Sequence, residues 1–190
     1  MWVFGIPSHS YMEENFLVSW DALVEGRWWV LVTSVFSHYL LLHLLVNMLV
    51  LSSFGRVLEP FLGHIRFLIF YFAAGVFGSL THAIVSAYLL DDPGLSALGA
   101  SGAVCGVVLL FSLLFPRERI LLFGFIPVPA LFGALAFVAL DIWGLSAQAK
   151  GGGLPIGHGA HLGGAFVGIV YYFGSIRPRL RRLRREAWIA

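Results

Sequence analysis

Charge is what this sequence has least of. Asp, Glu, Lys and Arg make up 12% of its 190 residues, about half of the roughly 25% usual in a soluble domain. Hydrophobic residues reach 59% and the mean hydropathy is +0.87, which excludes a protein bathed in water on all sides. Cysteine occurs once, at Cys105, so no internal disulfide can form, and a lone cysteine in an apolar run reads as a small core residue. Lysine also occurs once, at Lys150, against eleven arginines. No charged leader with a cleavage site precedes the first apolar run, so no secretory signal peptide is expected.

What is present in quantity is apolar sequence in runs of membrane-crossing length, about 20 residues each. Five runs qualify, at roughly 35–54, 65–90, 95–115, 120–145 and 154–176, separated by "GRVLEPFLGHIR", "DDPG", "PRER" and "SAQAKGGG". The expected fold is therefore an all-α, polytopic membrane bundle over residues 35–176. An amphipathic, partly acidic segment precedes it (1–34) and a basic tail follows it (177–190). Arg56 and Arg66 flank the first break, Arg117 and Arg119 sit at the third, and six arginines lie between Arg177 and Arg185. The alternate breaks hold Asp91 and Asp92, then only Lys150. Arginine-rich loops stay cytoplasmic, which puts the C-terminus inside and the first segment, the Asp91–Asp92 loop and the Gly151–Gly153 loop outside. A polybasic stretch directly after a span suits anionic lipid rather than nucleic acid. Five spans with the C-terminus inside leave the N-terminus outside, so a sixth, preceding span is expected to be truncated or missing, with "MWVFGI" as its remnant.

Ionisable side chains within a span each cost about 2.5–3.5 kcal/mol on insertion scales and usually mark function. The polar set within the runs is His43, Asn47, His82, Ser101, Asp141, His158 and His161. Ser101 lies 16 residues before Arg117 and His161 lies 16 before Arg177, which places both about 24 Å above the cytoplasmic edge at 1.5 Å per residue. His43 comes out slightly deeper. Gly102 and Gly106 on one run, and Gly159, Gly163, Gly164 and Gly168 on the other, let two helices approach closely. A histidine near a serine hydroxyl supplies the base that makes it a nucleophile. His43 and Asn47 share a helix face at i, i+4, and with the backbone N–H of Ser101 they offer donors to a developing oxyanion. No carboxylate is evidently placed to orient His161, so a Ser101–His161 dyad is expected, with Asp141 as an interfacial cap or pairing group. His38, His43, His158 and His161 also raise a metal-transport reading. Divalent-cation pathways normally include carboxylates, and this layer offers few, so no metal and no cofactor are expected.

These residues resemble those of the rhomboid intramembrane serine proteases, over roughly Glu25 to Ile176. The run "GRWWVLVTSVFSHYLLLHLLVNMLVLSSFGRVLE" is similar to the family's first loop and second span, with His43 and Asn47 in its HxxxN. "GASG" is similar to the nucleophile motif, which carries over to Ser101, and "GAHLGG" to the base-bearing helix, which carries over to His161. The resemblance implies a six-span bundle with an outward-opening, water-filled cavity and a serine-type endopeptidase acting in or next to transmembrane segments of other proteins. A non-catalytic binder of membrane helices is the alternative, although such relatives lack the serine or histidine retained here. Two positions depart from the pattern: Val30 replaces the usual first-loop arginine, and Cys105 replaces an aromatic that stacks on the base. The bacterial cytoplasmic membrane is the expected location. Water is expected to reach a pocket among His43, Asn47, Ser101, His158 and His161, with "DDPGLSALGA" dipping into the membrane before the serine.

Overall fold

A computed structural model describes residues 9–122 and 125–189; the "MWVFGI" stretch lies outside them. Three short helices come first, α1 (His9–Phe16), α2 (Trp20–Val24) and α3 (Val30–Thr33), followed by a 3-10 turn at Ser34–Phe36. Five longer helices form the bundle: α4 (Leu41–Leu62), α5 (His64–Tyr88), α6 (Ser101–Leu114), α7 (Ala130–Gln148) and α8 (His158–Tyr171). A π turn, Tyr172–Ile176, joins α8 to the basic helix α9 (Arg177–Ile189) without a break. Four of these helical stretches are long and apolar enough to cross a membrane, and α6 is shorter.

The boundaries differ from those expected in three places, each for a local reason. The first break does not fall at Arg56. α4 runs on through Pro60 to Leu62 and ends at Gly63, whose φ of +86° is left-handed territory that glycine adopts without strain. The run from 120 is not helical at its start, because Arg119–Leu122 and Ile126–Pro129 pair as an antiparallel hairpin, β1 and β2. Proline removes a backbone donor and biases the residue before it to extended geometry, so "IPVP" holds the helix off until Ala130. Helix α6 starts at Ser101 rather than near 95, and its 14 residues measure about 21 Å. The rest of a core about 30 Å thick is left to the non-helical stretch 89–100. Irregular backbone at membrane depth must be covered, and the cover falls on the part next to α6: Ala100 is buried and Ala97–Gly99 are half-buried, while 91–96 are exposed. Val18 and Ala97 exchange both backbone hydrogen bonds at 3.0 and 2.8 Å, and His82 holds the Leu95 carbonyl at 3.1 Å.

Helices α5, α6 and α8 form the centre, and glycine makes their contact close. A Cβ on Gly164 would collide with the Gly102 carbonyl oxygen, and one on Gly78 would lie 2.7 Å from the Ala160 oxygen. Below this seam Leu58, Phe70, Val107, Leu110 and Ile176 pack into the main apolar core. Outward-facing Leu42, Leu49, Ile65, Phe132 and Trp143 are exposed, a surface that suits lipid and would aggregate in water. Val30 is fully buried beside Val18, Ala22, Leu23 and Ala83, so the departure from arginine seats the first loop on α5 through apolar packing.

Candidate active site

Helices α4, α6 and α8 run in the same direction, so their first turns meet at one end of the bundle. Ser101 opens α6, His43 is the third residue of α4, and His161 is the fourth of α8. All three are half-buried rather than sealed. Ser101 Oγ lies 3.0 Å from His161 Nε2, the contact that the matched depths anticipate. The backbone N–H groups of a first helical turn have no partner within the helix and carry the positive end of its dipole, so the Ser101 N–H meets any oxygen bound there.

The turn before Ser101 is built for this. Gly99 has φ +114°, and a Cβ on it would stand 2.7 Å from Cε1 of His43. Only glycine combines that backbone with an imidazole lying directly above it. The Gly99 N–H donates to the Ser34 carbonyl at 2.8 Å. His38, from the loop before α4, accepts the Ala100 N–H on Nε2 at 3.3 Å. Asn47 donates to the His43 carbonyl at 2.9 Å, and its Nδ2 lies 3.4 Å from His38 Nε2. In this state Asn47 braces the histidine pair, whose rings meet edge to face at 5.0 Å. His82, on α5, contacts the loop before Ser101 at the Leu95 carbonyl.

Of the two expectations for Asp141, interfacial cap or pairing group, the contacts fit the second. The residue is 4% exposed, and its Oδ1 lies 3.0 Å from His161 Nδ1 and 2.6 Å from His158 Nδ1. The polar layer therefore does hold a carboxylate, and Asp141, His158 and His161 bring three donor atoms within 4.8 Å of one another. His158 is buried behind His161. Its Nε2 side faces Gly144, where any Cβ would collide with the ring. The aromatic missing at Cys105 is supplied from elsewhere: Phe137, one turn before Asp141 on α7, lies over His161 with centroids 5.7 Å apart and planes at 33°. Phe137, the contact of His38 with the Ala100 amide and the inward turn of Asp141 onto His161 are the parts that sequence reasoning missed, although His38 and Asp141 were themselves singled out. Of these, only the i, i+4 spacing of Phe137 and Asp141 left a trace in the sequence.

Four helical stretches long and apolar enough to cross a membrane, with the shorter α6 packed among them and a polar cluster at one end, define an integral, multi-pass α-helical membrane protein. Residues 25–178 match the Rhomboid domain, and the chain belongs to the rhomboid family. It is 33% identical over 193 residues to "RHOMBOID-like protein 12, mitochondrial" of Arabidopsis thaliana, covering 95% of this chain and 56% of the plant protein. It is 38% identical over 163 residues to "Rhomboid protein 1, mitochondrial" of Saccharomyces cerevisiae, covering 83% and 45% respectively. "Rhomboid protease GluP" of Bacillus subtilis is 37% identical over 94 residues, half of this chain and 16% of that protein. The chain thus spans about half the length of the first two relatives.

Proposed function

We propose that this chain is a serine endopeptidase that hydrolyses peptide bonds in or next to transmembrane segments of other proteins. Ser101 is the nucleophile and His161 the base. The observation that carries this reading is the 3.0 Å contact between Ser101 Oγ and His161 Nε2 at the outer end of the bundle, within the 2.6–3.2 Å reach that proton transfer needs. As Oγ bonds to the scissile carbonyl carbon, its proton moves to Nε2. The carbonyl oxygen takes up the negative charge and meets the Ser101 N–H and the His43 imidazole. Asn47 joins them by turning its amide away from the His43 carbonyl. The carbon–nitrogen bond then breaks as Nε2–H protonates the departing amine, leaving an ester on Ser101. Water, deprotonated by the same imidazole, attacks the ester carbon; the bond to Ser101 Oγ breaks as Nε2–H returns the proton to that oxygen, freeing the acid and restoring the serine. Ser101 and His161 are only partly buried, which supports access for that water.

A helical substrate hides its carbonyl carbons inside its own hydrogen-bond ladder, so the segment must unwind locally, and Gly or Pro near the cut lowers that cost. The arginine pattern supports a site opening away from the cytoplasm. Relatives named above are both bacterial and mitochondrial, and residence in a bacterial cytoplasmic membrane is part of the proposal. The test is cleavage of a reporter transmembrane substrate in liposomes by the chain, by Ser101→Ala and by His161→Ala. Loss of cleavage to background in both variants, with helicity and melting preserved, is expected. Cleavage surviving in Ser101→Ala refutes the assignment.

A further inference from the structure

Asp141 is the one buried carboxylate among the described residues, and its surroundings say more than that it is paired. An ionised carboxylate only accepts hydrogen bonds. With Asp141 in that form, the two imidazole nitrogens that approach its Oδ1, His161 Nδ1 at 3.0 Å and His158 Nδ1 at 2.6 Å, would each carry the hydrogen. For His161 this settles the other nitrogen: with the proton on Nδ1, Nε2 has a free lone pair, and it is Nε2 that faces the Ser101 hydroxyl. The opposite tautomer would point an N–H at the serine and could take no proton from it. A carboxylate so placed also stands beside the positive charge that forms when Nε2 becomes protonated.

We infer that Asp141 is the positioning residue for His161, completing a Ser101–His161–Asp141 chain of hydrogen bonds, with His158 as the second donor that holds the carboxylate in place. This rests on the Ser–His reading above. Three further observations fit. Phe137, on the same face of α7, lies over the His161 ring, so one helix fixes the base both by its edge and by its face. His158 Nε2 is buried without a hydrogen-bond partner among the described residues, packed toward Gly144, so the polar engagement of that side chain is with Asp141. Cys105, where an aromatic would otherwise hold the base, leaves that task unfilled on α6. The same three donors have the makings of a cation site. A cation on His161 Nδ1 would displace the hydrogen to Nε2 and silence the base, so the two occupancies exclude each other.

The experiment compares the intact chain with Asp141→Asn and His158→Gln in liposomes, measuring kcat, KM and melting. In parallel, ¹⁵N-histidine spectra are recorded, with the His161 signal assigned by its absence from His161→Asn. The expected results are a His161 that carries its hydrogen on Nδ1 and a kcat reduced at least about 100-fold in Asp141→Asn at near-constant KM. A much smaller kcat loss is expected in His158→Gln. Chelation should leave the wild-type rate unchanged. The inference is overturned if Asp141→Asn and His158→Gln both melt lower but keep kcat within about threefold, which is what interhelical pairing alone would give. It is equally overturned by hydrogen on Nε2 in the wild type, or by a rate that falls on chelation and returns with Zn²⁺. The tautomer reading needs no turnover, so it remains decisive if Asp141→Asn fails to fold. Failure of the protease reading shows separately, as cleavage that persists in Ser101→Ala.

Discussion

Gly99 shows how narrow the tolerances are at the level of single residues. Its left-handed backbone turns the chain into α6, and its missing side chain leaves room for the His43 ring. Gly99→Ala must strain the turn or push the imidazole aside, and a shift of about 1 Å in a reacting group can cost about 100-fold in rate. Cleavage is expected to fall about 10- to 100-fold while melting drops only modestly, as read by turnover and thermal unfolding of the same preparation. The meeting of Ser101, His161 and His43 was legible because each lies in the first turn or so of a helix that starts at the same end, with Asn47 one turn further along α4. Asp141 was not. Its direction depends on how α7 is rotated against α8, and no spacing within α7 reports that rotation. His38 was hidden for a related reason, since its partner is the Ala100 amide, 62 positions away.

Among the elements, the glycine seam between α6 and α8 sets the distance across which Ser101 and His161 meet. Gly102 and Gly164 touch backbone to backbone, and one turn lower a Cβ on Gly168 would lie 2.8 Å from the Gly106 oxygen. Gly164→Val would force these helices apart where neither can yield, because the obstructing atom is a main-chain oxygen. Overpacking of this kind costs about 1–3 kcal/mol or more. A melting point lowered by several degrees and loss of cleavage are expected together, whereas a valine at exposed Gly174, which has nothing within 4 Å of its Cβ position, should do neither. This seam was readable from the sequence as small residues four apart. The β1–β2 hairpin was less so: apolar composition pointed to a span from 120, while Pro127 and Pro129 were the signal that the backbone there is extended.

At the scale of the whole molecule, the arginine flanks, the apolar belt and the polar site are arranged along one axis. Arg56 lies in the second half of α4 and Arg66 in the first turn of α5, Arg117 and Arg119 lie between α6 and α7, and the Arg177–Arg185 series lies in α9, while the site lies at the opposite end, where α4, α6 and α8 begin. Helix α9 continues α8, with Arg177 over the Phe173 ring at 5.2 Å, so its arginines follow directly on the last apolar helix. Each such charge contributes about 1 kcal/mol near an anionic surface. The melting point should therefore be higher in liposomes containing anionic lipid than in purely zwitterionic ones. Combined Arg181→Glu, Arg182→Glu and Arg185→Glu should erase that difference. An unchanged difference would mean that the tail stands clear of the lipid.

The most direct test of the central claim is covalent labelling of Ser101 by a fluorophosphonate, which reacts only with an activated serine, followed by mass spectrometry of the intact chain and its peptides. One adduct is expected, on the peptide carrying Ser101, and it should vanish when His161 is replaced by alanine. Labelling of a different serine, or labelling of Ser101 at an undiminished rate in His161→Ala, would contradict the assignment of this serine and this histidine as the working pair.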